Sequence, residues 1–226
     1  MIKIAIDGLS GSGKGALAEG LAQKFNLKHL DTGAIFRTMG IAFWQKNIKD
    51  PTQTDIENVL NQIKVEIKFD GNLQKMFLDG NDVTSHLREE EVSKLASKVS
   101  AFALAREKYL GIVSDFSNNY NCVIDGRDIT SIVLPDADVK IYLTADEKVR
   151  AERRFKENQE KHIASTFEEV LKNLQERDYR DTHRDVAPLI IVEDAVVVDN
   201  SNLDIAQTIE KCVNIITQKL KKENKL

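Results

Sequence analysis

The sequence predicts an α/β fold with a parallel sheet between layers of helices, and two features of its first forty residues carry that prediction. The opening run from Ile4 to Ile6 is short, apolar and partly β-branched, as a buried parallel strand is, and it passes through glycines into a helical pattern from Gly15. The alternation then repeats: Lys28-His29-Leu30 reads as a second short strand and Asp31-Thr32-Gly33 opens a second helix. A βαβα start of this kind places ligands at the carboxyl ends of the strands.

The glycine stretch is the first such ligand site. Gly8-Leu9-Ser10-Gly11-Ser12-Gly13-Lys14 completes the pattern Gly-x-x-x-x-Gly-Lys between a strand and a helix, the context that makes it a P-loop. Gly8, Gly11 and Gly13 allow consecutive N–H groups to face phosphate oxygens, the helix adds its positive end, and Lys14 brings a mobile charge to the outer phosphates. The expected ATP-binding set runs from Gly8, Leu9, Ser10, Gly11, Ser12 and Gly13 through Lys14 to Gly15 and Ala16. The general motif has Ser or Thr after the lysine, where this chain has Gly15, and Ala16 carries no hydroxyl either.

The remaining elements follow from periodicity. From Lys14 to Phe25, Leu17, Leu21 and Phe25 recur every four positions despite Gly20, giving a helix that ends near Asn26. Ile35, Phe36, Met39 and Phe43 carry the second helix, and Asp55 to Ile63 a short third one after Pro51. The period then drops to two: Val65, Ile67 and Phe69 alternate with Lys64, Glu66 and Lys68, and turns at Asp70-Gly71-Asn72 and Asp79-Gly80-Asn81-Asp82 make 64–84 a small antiparallel meander. Arg88 to Ser117 is helical, with a break expected near Phe102 and Glu89-Glu90-Glu91 suited to a helix start. Cys122 to Asp125 and Val139 to Leu143 are buried strands. Asp146 to Gln159 and Thr166 to Arg180 are charged helices, Ala195 to Val198 is a last strand, and Leu203 to Leu220 is an amphipathic closing helix with a solvated lysine-rich tail.

Composition limits what such a fold does here. The 226 residues suffice for one sizeable core, and the chain is expected to form a single domain over 1–226 with inserted parts. No apolar run approaches the roughly 20 residues of a membrane span. The chain enters its first strand at once, so the expectation is a cytoplasmic protein without a leader. A net charge of −4 argues against a nucleic-acid surface. Cys122 and Cys212 read as buried reduced thiols, and the four histidines form no ligand pair, so no protein metal site is expected. Without an exposed apolar stripe, a monomer is the expected state.

Six of the ten arginines, Arg150, Arg153, Arg154, Arg177, Arg180 and Arg184, fall between positions 150 and 184. Helix-surface pairing with Glu147, Glu152, Glu157, Glu176 and Asp181 accounts for about half of them. The rest suit phosphoryl transfer, in which the protein supplies positive charge and positioning to two phosphate-bearing substrates and closes over them to exclude water.

Several stretches together resemble the bacterial cytidylate kinases, which transfer a phosphate from ATP to CMP or dCMP. They are Ile6 to Gly15, Leu30-Asp31-Thr32-Gly33-Ala34-Ile35-Phe36-Arg37, Asp125-Gly126-Arg127-Asp128, Leu134-Pro135-Asp136-Ala137, and Glu176-Arg177-Asp178 through Arg184-Asp185-Val186-Ala187-Pro188-Leu189. The resemblance implies a P-loop NTPase core, a monophosphate-binding part at about 33–100 that includes the meander, and a helical lid at about 146–166. It implies that Arg37, Arg127 and Arg184 grip the acceptor phosphate and that Thr32 lies against the same nucleotide. Ser97, Arg106 and Asp128 would read the base, and Arg177 and Asp181 would contact the sugar. Of Arg150, Arg153 and Arg154 on the lid-like segment, one or two reach the transferred phosphate, and Arg153 and Arg154 are assigned with Lys14 and Arg127 as catalytic.

A carboxylate at Asp128 suits the cytosine amino donor and opposes the uracil carbonyl. Mg²⁺ is expected to arrive with ATP, without an assigned protein ligand. Asp7 and Asp125, each near the end of a buried strand, either orient waters on that ion or cap adjacent turns. Ile129-Thr130-Ser131 stands where the family has a small glycine-containing step, and with Ala16 is expected to lower activity if either matters. Two competing readings remain: a kinase for UMP, AMP or a non-nucleotide acid on the same core, and a nucleotide-binding module without turnover, suggested by Ala16.

Overall fold

The computed structural model describes residues 1–225, and the chain divides into two compact units, Met1–Lys28 with Asn121–Leu226, and His29–Tyr120. The chain opens with β1 (Lys3–Gly8) and α1 (Lys14–Phe25). It continues through β2 (Lys28–Asp31), α2 (Thr32–Gln45), α3 (Gln53–Leu60), β3 (Val65–Asp70), β4 (Leu73–Leu78), β5 (Asn81–Asp82), α4 (Glu90–Val99) and α5 (Ala103–Asn119). It closes with β6 (Cys122–Gly126), β7 (Val139–Thr144), α6 (Glu147–Glu160), α7 (Phe167–His183), β8 (Val196–Asp199) and α8 (Ile205–Lys222). Among the described residues no helix is long and apolar enough to cross a membrane.

The first unit is built on a sheet in the order β2-β6-β1-β7-β8. Strand β1 pairs in parallel with β6 and with β7, and β7 with β8. β2 starts in this unit with Lys28, whose N–H donates to the Asn121 carbonyl at 3.0 Å. Central strands with both faces covered read as continuous apolar runs, as Ile4-Ala5-Ile6 and Val139 to Leu143 do. Ile4, Ile6, Val139, Ile141, Leu143 and Val198 form one core with Leu17 and Leu21 of α1 and Cys212, Ile216 and Leu220 of α8. Gly20, unfavourable in a helix interior, is where α8 approaches: a Cβ there would stand 2.4 Å from the Ile209 Cδ1. Burial pushes the Cys122 thiol up to about 12 and the Cys212 thiol up to about 11, so both stay protonated and behave as small apolar groups.

Two details differ from the sequence reading. Ile129–Val133, to which the sequence reading assigns no element, winds into one wide π-type turn whose first N–H groups donate to Asp7. The lysine tail is not wholly solvated, since Lys225 pairs with Asp138 and Glu223. Leu226, the last residue of that tail, lies outside the described residues.

In the second unit, Asp31 caps α2, accepting the Ala34 N–H at 3.2 Å, and Thr52 and Asp55 form a capping box on α3. The meander is antiparallel, with Val65 opposite Leu78 and Asp70 opposite Leu73, and β5 adds to β4 at Leu78 and Asn81. Its apolar side buries Met76 and Leu78. The break between α4 and α5 falls at residues 100–102, as the apolar spacing indicates.

Candidate active site

At the end of β1 the backbone turns through Gly11 and Gly13 with φ of 73° and 86°, the left-handed region that glycine enters without strain. Gly13 caps α1 with no side chain on its first N–H groups, and the first turn of the helix holds no acid, so its positive end is left for an anion. Lys14 is buried and donates from Nζ to the Leu9 carbonyl at 3.2 Å. Burial, and then the charge of Arg127, lowers its pKa to about 7, while Asp125 opposes the shift. Ser12 is also buried, and its Oγ has no hydrogen-bond partner among the described residues.

Three side chains from later elements, Arg150, Asp178 and Asn200, bond to the loop, and Arg153 holds Asn200. The Ser10 N–H donates to Asp178 Oδ1 at 2.9 Å, and Arg150 donates from Nη1 to the Ser10 carbonyl at 2.9 Å and from Nε to the Ala145 carbonyl at 3.0 Å. Arg150 and Asp178 are themselves ion-paired. Asn200, just after β8, donates to the Ser12 carbonyl at 3.0 Å and accepts from Arg153 Nη1 at 3.0 Å, while Arg153 Nη2 reaches the Asn200 carbonyl at 2.7 Å. Arg154 makes a helix-surface pair with Glu157 at 2.8 Å. Of the three arginines on the lid-like segment, Arg150 is therefore a buried support of the loop with its guanidinium spent on protein groups, and Arg153 is likewise engaged, both of its Nη groups donating to Asn200 and Nη2 also to the Leu203 carbonyl at 3.2 Å.

A second cationic set lies in the same unit. Arg127 follows β6 and donates from Nε to Asp181 Oδ2 at 2.8 Å and from Nη1 to the Gly126 carbonyl at 3.1 Å. Burial would raise the Asp181 carboxyl, but Arg127 and Arg177 together hold it below its ordinary value. The Asp181 carbonyl accepts the Leu189 N–H at 2.7 Å, and Arg184 Nε donates to the Ala187 carbonyl at 2.7 Å, which folds the segment after α7 back on itself. Asp128 is buried, and its carbonyl accepts the Ile132 and Val133 N–H groups at 2.9 and 3.1 Å, so the π-type turn fixes its backbone. Asp7 accepts the Ile129 N–H at 3.0 Å, the Thr130 N–H at 2.7 Å and the Thr130 hydroxyl at 2.6 Å. Of the two readings left open for Asp7, the geometry supports the cap.

The second unit holds the other expected residues. Thr32 is buried in the first turn of α2, and Arg37 donates from Nη2 to Asp31 Oδ2 at 2.5 Å. Ser97 is half-buried on α4. Arg106 is buried on α5 with its guanidinium 5.8 Å from the Phe36 ring centre and 5.6 Å from that of Tyr109, and it donates to the Ser100 carbonyl at 3.4 Å.

Sequence reasoning missed Asp178, Asn200, Asp31 and Gln74 as supports. Asp178 carried a signal: with Val170, Leu174 and Asp181 it follows the helical spacing of the buried face of α7, and an acid on an apolar stripe needs a partner.

A sequence profile described as Cytidylate kinase matches residues 4–218. A cytidylate kinase of Caldicellulosiruptor saccharolyticus is 40% identical over 214 residues, covering 95% of each chain. One of Fusobacterium nucleatum is 38% identical over 221 residues, covering 98% of each. Among solved structures, an uncharacterized protein of Eubacterium ventriosum superposes with a TM-score of 0.53 at 13% identity, over 96% of this chain and 99% of the other, a likeness of fold alone. With a phosphate loop, a separate arginine set and relatives matched almost end to end, the chain belongs to the cytidylate kinase family.

Proposed function

We propose that the chain is an ATP-dependent nucleoside monophosphate kinase that transfers the terminal phosphate of ATP to CMP or dCMP, giving CDP or dCDP. The observation that carries this reading is the second cationic set: Arg127, paired with Asp181, and Arg177 are close enough to act electrostatically on Lys14 against Asp125 and Asp181, so arginine donors stand beside the donor cradle where an acceptor phosphate belongs. An oxygen of the acceptor phosphate attacks the terminal phosphorus, a new P–O bond forms, and the bond to the bridging oxygen breaks to release ADP. The acceptor oxygen is already anionic near neutral pH, so no general base is needed. In this reading Lys14, Arg127, Arg153 and Arg154 serve the transferred group. Arg37, Arg184 and Thr32 hold the acceptor, Ser97, Arg106 and Asp128 read its base, and Arg177 and Asp181 take its sugar.

Mg²⁺ carried by the triphosphate is the cofactor this reading implies. Gly15 and Ala16 follow Lys14 without a hydroxyl, and Asp7 is spent on Ile129 and Thr130, so none of these three offers the ion a ligand. Among the described residues no group of three His, Cys, Asp or Glu is placed to hold a metal.

A coupled assay with ATP, Mg²⁺ and CMP, dCMP, UMP or AMP in turn tests the proposal. Turnover of CMP and dCMP with little of UMP is expected. Faster turnover of another acceptor, or none with ATP still bound, would overturn it.

A further inference from the structure

The antiparallel meander has no role in the reaction as described so far, yet one of its side chains reaches the residue that holds Arg37. Gln74, the second residue of β4, makes a two-point contact with the Asp31 backbone. The Asp31 N–H donates to Gln74 Oε1 at 2.8 Å, and Gln74 Nε2 donates to the Asp31 carbonyl at 3.2 Å. A primary amide that closes on both backbone groups of one residue fixes that residue in place and orientation. The Thr84 hydroxyl accepts the Met76 N–H at 2.9 Å and anchors the same strand two residues on.

Asp31 in turn does two jobs with its carboxylate. Oδ1 accepts the Ala34 N–H and caps α2, and Oδ2 takes Arg37 Nη2. Burial would raise this carboxyl, but Arg37, then His29, keep it below its ordinary value, so it is an anion at neutral pH. Gly33 leaves room for the pairing. A Cβ there would stand 2.9 Å from Arg37 Nη1 and 3.0 Å from Asp31 Oδ1, so any side chain would make the guanidinium shift. Arg37 is thereby held by one corner only. Its Nε is buried and has no hydrogen-bond partner among the described residues, and a guanidinium pinned through Nη2 alone keeps donors over for an oxyanion.

We propose that Gln74 is a positioning residue for the acceptor phosphate, acting through Asp31 on Arg37, and that bracing this arginine is a function of the inserted meander. The proposal rests on the functional reading above, in which Arg37 grips the acceptor. A brace of this kind lowers the cost of immobilising a long side chain when the acceptor binds, so it affects the acceptor and not the donor.

The test is steady-state kinetics of Gln74→Ala in two backgrounds, the wild type and Asp31→Ser. Serine keeps the helix cap but has no carboxylate for Arg37. In the wild-type background Gln74→Ala is expected to raise the CMP KM roughly three- to tenfold, the scale of one lost hydrogen bond, with the ATP KM unchanged. In the Asp31→Ser background the same substitution is expected to do almost nothing further, because the relay is already cut. An unchanged CMP KM, an equal rise in both backgrounds, or a parallel rise in the ATP KM would overturn the proposal. A wild type that ignores CMP and turns over another monophosphate would overturn the substrate assignment instead, and the same variants would then decide the brace with that acceptor.

Discussion

Arg150 on α6 and Asp178 on α7 form a buried ion pair, and each also binds Ser10: Arg150 at its carbonyl, Asp178 at its N–H. The pair therefore joins two helices to one residue of the phosphate loop. Stability and positioning can be separated here. Removing one member alone leaves a buried charge, so Asp178→Ala is expected to cost about 3–5 kcal/mol in urea unfolding. Replacing both, as Arg150→Met with Asp178→Leu, is expected to restore most of that stability while the ATP KM stays raised, because Ser10 remains unheld. A double variant with a wild-type ATP KM would show that the pair only stabilises the fold.

The elements were legible because each shows a period over enough residues to exceed chance. Helix α1 runs from Lys14 to Phe25, as its four-residue spacing indicates, and the change to period two marks the meander. The phosphate loop was legible because its chemistry is local. The supports were not, because a side chain bonded to a backbone group far along the chain leaves no periodic trace. Ser10 and Asp178 are 168 positions apart, and Gln74 and Asp31 are 43 apart. The Ile129–Val133 turn escaped for the same reason, since Asp7 organises it from 122 residues away. Arginine clustering marked the segment without separating Arg150 and Arg153, which bond to Ser10 and to Asn200, from Arg154, which pairs with Glu157 on the helix surface.

Lys14 sets a pH dependence for triphosphate binding. With its pKa lowered to about 7, it is a cation below that pH and increasingly neutral above it in the free protein. A bound triphosphate favours the cation and raises the pKa, so binding takes up a proton above pH 7 and the apparent ATP affinity falls as pH rises. Calorimetry of ATP binding in two buffers of different ionisation enthalpy is expected to show near-complete proton uptake at about pH 8 and little at about pH 6. Lys14→Arg, always charged, serves as the reference that removes this term. Equal uptake by wild type and Lys14→Arg at pH 8 would refute the assignment.

Thr130 supports a carboxylate that burial disfavours. Asp7 is fully buried, and its pKa is raised from 3.8 even though the Thr130 hydroxyl and two N–H groups lower it. Because the folded value lies above the unfolded one, the contribution of this group to stability is complete below 3.8 and is lost as pH rises through the folded value. Thr130→Val removes one of those donors and penalises only the ionised form. The variant is expected to lose about 1–3 kcal/mol at pH values above the folded titration of Asp7, and the gap to wild type is expected to narrow below it. Urea unfolding of both proteins at two pH values checks this, and a gap independent of pH would contradict it.

Asp128 carries the base selectivity in the proposed function, and its surroundings suit that task. Its backbone is fixed by the Ile132 and Val133 N–H groups, and its side chain is buried, so it cannot turn away from an ill-matched base at little cost. A cytosine presents an amino donor to the carboxylate, whereas a uracil presents a carbonyl and leaves two acceptors facing each other. Asp128→Asn replaces one acceptor oxygen by a donor of almost the same shape. Its kcat/KM for CMP is expected to fall about tenfold or more, and that for UMP to rise, so the CMP to UMP ratio contracts from both sides. Lower values for both substrates at an unchanged ratio would mean that Asp128 supports the turn it leads into, and that the base is read by other residues.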